Sequence, residues 1–232
     1  MAYLPIFFET QRRPCLVVGA GSVAWRKVKA LLEAGAAVTV ISPEATPEID
    51  GLARAGKLRL LAREYLPGDL RGFALVFVAT NDAGVQRAVS REAHECGIPI
   101  NVVDVPELCS FISPSTVRRG ALTVAVSTAG ASPAMARRIR ERIERLLGNE
   151  YALALEVHRA ARRHLRAVEA DPARRALRMA RLAASSLPAR LRRGDIEGTN
   201  RLLMRHVGAG LEGLGFTATA LAASEPASEV GR

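Results

Sequence analysis

The sequence predicts an α/β protein built on a parallel, doubly wound sheet. Three observations carry that reading. Short apolar runs recur along the first half of the chain, each closed by turn residues. Segments with helical spacing separate them, the alternation that gives a parallel sheet covered on both faces. The first run ends in Gly19-Ala-Gly-Ser-Val-Ala, a glycine turn that opens a helix.

The elements follow in order. Pro14–Val18 is a short apolar run and reads as a buried strand. Ser22 to Ala34 has helical character, with Val23, Val28, Leu31 and Leu32 as inward positions and Gly35 as its C-cap. Val38–Ile41 is the second strand, Leu58–Leu61 the third and Phe73–Ala79 the fourth. Val85–Cys96 is a helix, and Ile98–Val103 is the fifth strand. Beyond residue 105 the pattern changes. Ser110–Ser113 and Ala121–Val126 read as two strands joined through Arg118-Arg119-Gly120. A long helix runs from Pro133 to Leu147, with Ser132 at its N-cap and Pro133 at the first helical position. Tyr151 to Leu214 is rich in Ala, Leu and Arg, broken at Asp171-Pro172, Leu187-Pro188 and Gly194, which is the pattern of a small helical domain. The expected division is 1–112, a nucleotide-binding domain; 113–148, a strand–helix segment; 149–215, a helical domain; and 216–232, a frayed tail.

Composition narrows the classes. Hydrophobic residues make up 49% and charged residues 24% of 232, the balance of a folded soluble domain, which excludes wholesale disorder. The apolar runs fall short of the roughly 20 residues a membrane helix needs. The start, Met1-Ala-Tyr-Leu-Pro-Ile-Phe-Phe, lacks a basic region and a cleavage site, so no signal peptide is expected. Three cysteines without a C-x-x-C point away from a disulfide framework and fit a reducing cytoplasm. Net charge is +10. Residues 1–150 hold 19 basic and 15 acidic side chains, and residues 151–232 hold 14 and 8, so the excess is denser towards the end. An anionic partner is favoured. Nucleic acid is not, because aromatic residues are only 4% and no recognised binding motif occurs.

The glycine loop carries the most chemistry. In G-x-G-x-x-A after a strand, Gly19 makes the tight turn, Gly21 lets the backbone approach a pyrophosphate, and Ala24 lets the helix pack on the strand. The phosphates would then sit at the helix N-terminus, where free N–H groups and the dipole favour anions. This is the fingerprint of a Rossmann dinucleotide-binding domain, although a glycine turn can also serve packing alone. The acid usual at the end of the second strand is replaced by Ser42-Pro43-Glu44, of which Ser42 and Glu44 are candidates for the ribose hydroxyls. No arginine stands nearby in sequence to hold a 2′-phosphate, so NAD is expected over NADP. Thr80-Asn81-Asp82 follows the fourth strand and places Thr80 and Asn81 at the carboxyl edge, or forms an ordinary turn.

Two further features are candidate chemistry. Asp104 closes the fifth strand at the same edge, where a partly desolvated carboxylate acts as a general base, or caps the next turn. Ser127-Thr128-Ala129-Gly130-Ala131-Ser132 is a hydroxyl-rich loop at a helix start, either a second anion site or a plain cap. His94, His158, His164 and His206 show no metal-ligand spacing, and no metal site is predicted.

Several segments together resemble precorrin-2 dehydrogenase, the dehydrogenase module of siroheme synthase. They are Leu4-Pro-Ile-Phe, Gly19-Ala-Gly-Ser-Val-Ala-Trp-Arg-Lys, Ala79-Thr-Asn-Asp, Asn101-Val-Val-Asp-Val-Pro-Glu-Leu-Cys-Ser-Phe-Ile-Ser-Pro-Ser, and Arg119 to Arg137. The likeness runs in order over about residues 3–148. It implies NAD-dependent oxidation of precorrin-2 to sirohydrochlorin in siroheme biosynthesis, with Asp104 catalytic and cofactor contacts on Ser22-Val23 and Pro43-Glu44. It also implies a homodimer, formed through the segment after residue 105, and leaves open insertion of ferrous iron as a second reaction. Ala20 departs from the third consecutive glycine of many relatives. Thr128 replaces a serine that some of them carry, so regulation at that serine does not transfer.

The implied substrate bears eight carboxylates, which suits a basic protein. Arg118, Arg119, Arg137 and Arg138, with arginines of the helical tail and with Ser127, Thr128 and Ser132, are candidates to hold it, each arginine also readable as a solvated surface charge. The competing function is a non-catalytic NAD-sensing module that would not need Asp104.

Overall fold

The computed structural model describes residues 3–217. The chain divides after Ser113 into two compact units, the second starting at Pro114.

The first unit is the expected doubly wound sheet. Five parallel strands, β1 (Pro14–Val18), β2 (Ala37–Ile41), β3 (Arg59–Leu61), β4 (Leu75–Val78) and β5 (Ile100–Val102), lie in the order β3-β2-β1-β4-β5. Side chains alternate across each strand and feed two cores. On one face Cys15, Val17, Val38, Val40, Leu75 and Phe77 pack under Ala24, Val28 and Leu31 of helix α1 (Ser22–Glu33) and Ile49 of α2 (Pro47–Arg54). On the other, Leu16, Val18, Val76, Val78, Ile100 and Val102 pack under Val89 and Ala93 of α3 (Ala83–Glu95). A strand buried on both faces reads as a continuous apolar run, which is why β1 and β4 were legible. Helix α2 was not foreseen. It has eight residues and buries only Ile49, too little apolar repeat to show a period, though Thr46-Pro47 marks its start.

The chain runs outward from β1 to β3, then returns to lay β4 against the other side of β1. The order therefore reverses between β1 and β4, and such a switch point opens a crevice at the carboxyl ends of the strands.

The second unit opens with a hairpin of β6 (Ser115–Arg119) and β7 (Leu122–Val126). Here one expectation is corrected: the first of these strands is Ser115–Arg119, not Ser110–Ser113. Register Arg119↔Leu122 leaves a two-residue loop whose first member, Gly120, has φ 54°, the positive value a tight hairpin needs. Ser110 and Phe111 instead close onto β5, where their amides donate to the Ile100 carbonyl and Phe111 meets the Phe77 ring edge-on at 5.5 Å. Their apolar, strand-like composition serves that docking. Helix α4 (Pro133–Leu146) follows, then α5 (Glu150–Val168), α6 (Pro172–Ala183), α7 (Leu187–Arg192) and α8 (Ile196–His206), closed by a 3-10 turn at Glu212–Leu214. Val157, Leu165, Leu182, Leu187 and Leu203 form the core of these helices and are fully buried. The breaks read at Asp171-Pro172 and Leu187-Pro188 mark the starts of α6 and α7, Gly194 falls between α7 and α8, and Asp171 caps α6 by accepting from the Ala173 amide at 2.8 Å. The tail expected to fray lies, beyond Thr217, outside the described residues.

Candidate active site

Backbone hydrogen bonds knit the carboxyl edge of the sheet into one row. The Gly19 amide donates to the Ile41 carbonyl at 2.8 Å, the Ala79 amide to Val18 at 2.8 Å, and the Val103 amide to Val78 at 2.9 Å. The turns that follow β1, β2, β4 and β5 are thereby held side by side. They carry Gly19–Val23, Ser42–Glu44, Thr80-Asn81 and Asp104.

The two glycines differ in their constraints. Gly19 has φ 101°, and a Cβ there would meet the Ala79 carbonyl oxygen at 2.4 Å. It is fixed by the close approach of two strand ends. Gly21 has an ordinary φ of −80°, and a Cβ there would meet nothing within 4 Å. The fold alone does not require glycine there and leaves the backbone open to a ligand. Helix α1 opens on Gly21 with no side chain accepting from its first amides. An open cradle with free N–H groups at a helix N-terminus fits a pyrophosphate. Ser22 is exposed and Val23 half-buried beside it.

On the ribose side Ser42 is half-buried and Pro43 and Glu44 are exposed. The register also reveals an arginine that sequence distance hid. Arg63 lies two residues past Leu61, the partner of Ile41. Its guanidinium is, however, held by both Asp69 oxygens at 2.7 and 2.8 Å, so it is not free for a 2′-phosphate. After β4, Asp82 caps α3 through the amides of Gly84 and Val85 at 2.7 and 3.0 Å. Thr80 accepts from the Asp82 amide, and its carbonyl accepts from Gln86. Asn81 stays exposed.

Asp104 sits at φ 60°, a left-handed conformation rare outside glycine. Its side chain is exposed, not desolvated as expected. The turn is clasped from below by Cys109: the Val102 amide donates to its Sγ at 3.1 Å, while the thiol reaches the carbonyls of Val102 at 3.2 Å and Val105 at 3.4 Å. Burial pushes the Cys109 thiol up, against the stabilising Val102 amide. It is a structural thiol, not a nucleophile.

Sequence reasoning missed Lys27. It lies on α1, half-buried, with Nζ 5.1 Å from the centre of the Phe77 ring and donating to Ser113 Oγ at 3.2 Å. Burial, then the neighbouring Arg26, hold its ammonium below the usual lysine range, opposed by the charges of Asp104 and the Cys109 thiol. The signal was a lysine on the inward side of an amphipathic helix, one turn after the glycine loop.

In the second unit the hydroxyl-rich loop satisfies itself. Thr128 Oγ1 donates to the Ser132 carbonyl and accepts from its amide, Ser127 Oγ accepts from Ala129, and Ser132 Oγ accepts from the Met135 amide to cap α4. Arg119 is tied to the carbonyls of Leu147, Arg118 and Glu144. Arg137 pairs with Glu141 one turn on at 3.0 Å. Arg118 is exposed and has no ion pair among the described residues. Among the described residues no group of three or more His, Cys, Asp or Glu side chains could hold a metal.

Switch point, glycine cradle and edge carboxylate define a dinucleotide-binding protein of the Rossmann class. Comparisons with known proteins narrow this. Residues 6–115 match the family model described as "Putative NAD(P)-binding", and residues 119–146 match "Sirohaem biosynthesis protein central". The siroheme synthase of Methylobacillus flagellatus is 53% identical over 151 residues, 65% of this chain and 32% of its own. That of Pseudomonas aeruginosa is 38% identical over 211 residues, 91% of this chain and 45% of its own. A solved structure, "SirC, precorrin-2 dehydrogenase", superposes with a TM-score of 0.70 at 26% identity, over 81% of this chain and 92% of that one. The chain spans less than half the length of either siroheme synthase. It is a homologue of the siroheme synthases, in the part that the two family models cover.

Proposed function

We propose that this chain is an NAD-dependent precorrin-2 dehydrogenase, converting precorrin-2 to sirohydrochlorin. The observation that carries the proposal is Asp104, an unpaired carboxylate on a left-handed turn at the same sheet edge as the open Gly21 cradle. The names of the relatives, siroheme synthase and precorrin-2 dehydrogenase, supply the substrate.

NAD⁺, when bound, supplies the hydride acceptor. Gly19 and Gly21, with the amides of Ser22 and Val23, would hold its pyrophosphate, and Ser42, Pro43 and Glu44 its ribose. Thr80 and Asn81 would border the remainder. Dehydrogenation removes a hydride from one ring carbon and a proton from the macrocycle. Asp104 is the proton acceptor, and solvent receives that proton when the carboxylate is regenerated. Insertion of ferrous iron, as a substrate, would draw on the same carboxylate for the two pyrrole protons. Of the candidate anchors for the substrate carboxylates, Arg118 and Arg138 are exposed and make no ion pair among the described residues. Arg119, Arg137 and the three hydroxyl residues support their own loops and helices. We further infer a homodimer working in the cytoplasm. No helix among the described residues is long and apolar enough to cross a membrane. All three named relatives carry the names of enzymes, which speaks against the sensing module.

The test is anaerobic conversion of precorrin-2, followed by absorbance with and without NAD⁺. NAD-dependent formation of sirohydrochlorin is expected, with its loss in a folded Asp104 variant. A folded, NAD-binding wild type that converts nothing would overturn the proposal. Adding ferrous iron afterwards reads the second reaction separately.

A further inference from the structure

The Lys27 ammonium has three protons and spends them sparsely. One goes to Ser113 Oγ at 3.2 Å, and the Phe77 ring face, 5.1 Å from Nζ to its centre, covers another side. No carboxylate lies within ion-pair distance of it among the described residues, although Asp104 is close enough for its charge to be felt. Asp104 in turn has no hydrogen-bond or ion-pair partner among the described residues and stands exposed. A half-buried cation and an exposed anion are thus both left under-coordinated. A cation on an aromatic face in a partly desolvated setting keeps its strength towards an incoming anion. Were the two groups meant only to stabilise the fold, direct contact would serve better.

We propose that Lys27 is a substrate-binding residue that takes one acidic side arm of the tetrapyrrole. The inference rests on the dehydrogenase reading and names part of its substrate contacts. Ser113 and the Phe77 ring fix where the ammonium stands. Phe77 belongs to β4, so one side of the anchor is held by the sheet itself.

The experiment compares wild type with Lys27→Gln and Lys27→Arg. Sirohydrochlorin binding is titrated anaerobically by absorbance, NAD⁺ binding is measured by calorimetry, and conversion of precorrin-2 is followed at steady state. Lys27→Gln is expected to weaken sirohydrochlorin binding about tenfold or more and to raise KM to match, with kcat within about threefold and NAD⁺ binding unchanged. Lys27→Arg should recover most of the affinity. Unaltered sirohydrochlorin binding in folded Lys27→Gln, or a fall in kcat at constant KM, would overturn the assignment. If Lys27→Gln does not fold, Lys27→Met keeps the stem on Phe77 and is read the same way. A wild type that converts no precorrin-2 sinks the dehydrogenase reading. Normal conversion with binding indifferent to Lys27 sinks this inference alone.

Discussion

Gly19 and Gly21 are two residues apart and answer to different forces. At Gly19 a methyl group would meet both an unfavourable φ of 101° and a carbonyl oxygen at 2.4 Å. Gly19→Ala should cost roughly 2–3 kcal/mol of stability, read from denaturant midpoints. At Gly21 neither obstacle exists. Gly21→Ala should keep stability within about 0.5 kcal/mol while losing about tenfold or more in NAD⁺ affinity by calorimetry. Equal loss of stability in both would remove the argument that Gly21 faces a ligand. Asp104 poses a similar choice of variant. At φ 60° alanine adds strain of roughly 1 kcal/mol, whereas asparagine tolerates that region. Asp104→Asn should therefore unfold with wild type, bind NAD⁺ and convert no precorrin-2. Asp104 was legible as the polar residue ending an apolar strand, but its positive φ was not, because the turn is imposed by Cys109, five residues later. Lys27 was illegible for another reason: an inward-position reading of an amphipathic helix counts apolar residues and passes over a lysine whose ammonium lies on an aromatic ring.

Between residue and fold stand the elements that hold these groups. The Cys109 thiol makes three backbone contacts across the Val102–Val105 turn. Cys109→Ala should destabilise by about 1–2 kcal/mol and raise hydrogen exchange at the Val102 amide, without touching NAD⁺ affinity. Helix α5 offers a pH signature. Burial, then Arg162, hold His158 below the ordinary histidine value of 6.5. The folded state therefore resists a proton that the unfolded chain accepts. Stability is full above the unfolded pKa and declines as pH falls through it. The drop in unfolding free energy between about pH 7.5 and about pH 5.5 should be smaller in His158→Gln. An unchanged drop would mean that His158 is as free to protonate folded as unfolded. Elements with a continuous apolar run or a strong cap were visible in the sequence. Helix α2 and strand β6 were not: one is too short to show a period, and the other is polar outside Val117 and follows a more apolar stretch that docks on β5.

At the scale of the molecule, the chain's net charge of +10 would favour the proposed substrate, which bears many carboxylates. Raising ionic strength from about 0.05 M to about 0.5 M shortens the screening length from roughly 14 Å to roughly 4 Å. The KM for precorrin-2 should then rise several-fold while that for NAD⁺ changes little, because the proposed cradle would hold NAD⁺ by short-range backbone contacts. A KM for precorrin-2 indifferent to salt would confine substrate recognition to a few close contacts. The doubly wound plan was legible from alternation alone. The strand order was not, since alternation says nothing of which side of β1 receives β4.

That placement has a kinetic consequence. Strand β1 pairs early in sequence with β2, Pro14↔Ala37, but waits for β4, Cys15↔Leu75, to arrive from much further along the chain. Closing that long loop costs the most chain entropy within the first unit, and only then do the Gly19 turn and the Ala79 carbonyl come together. Cofactor affinity should therefore appear as the last signal of refolding, after helix content has recovered, making the nucleotide site a reporter of completed topology.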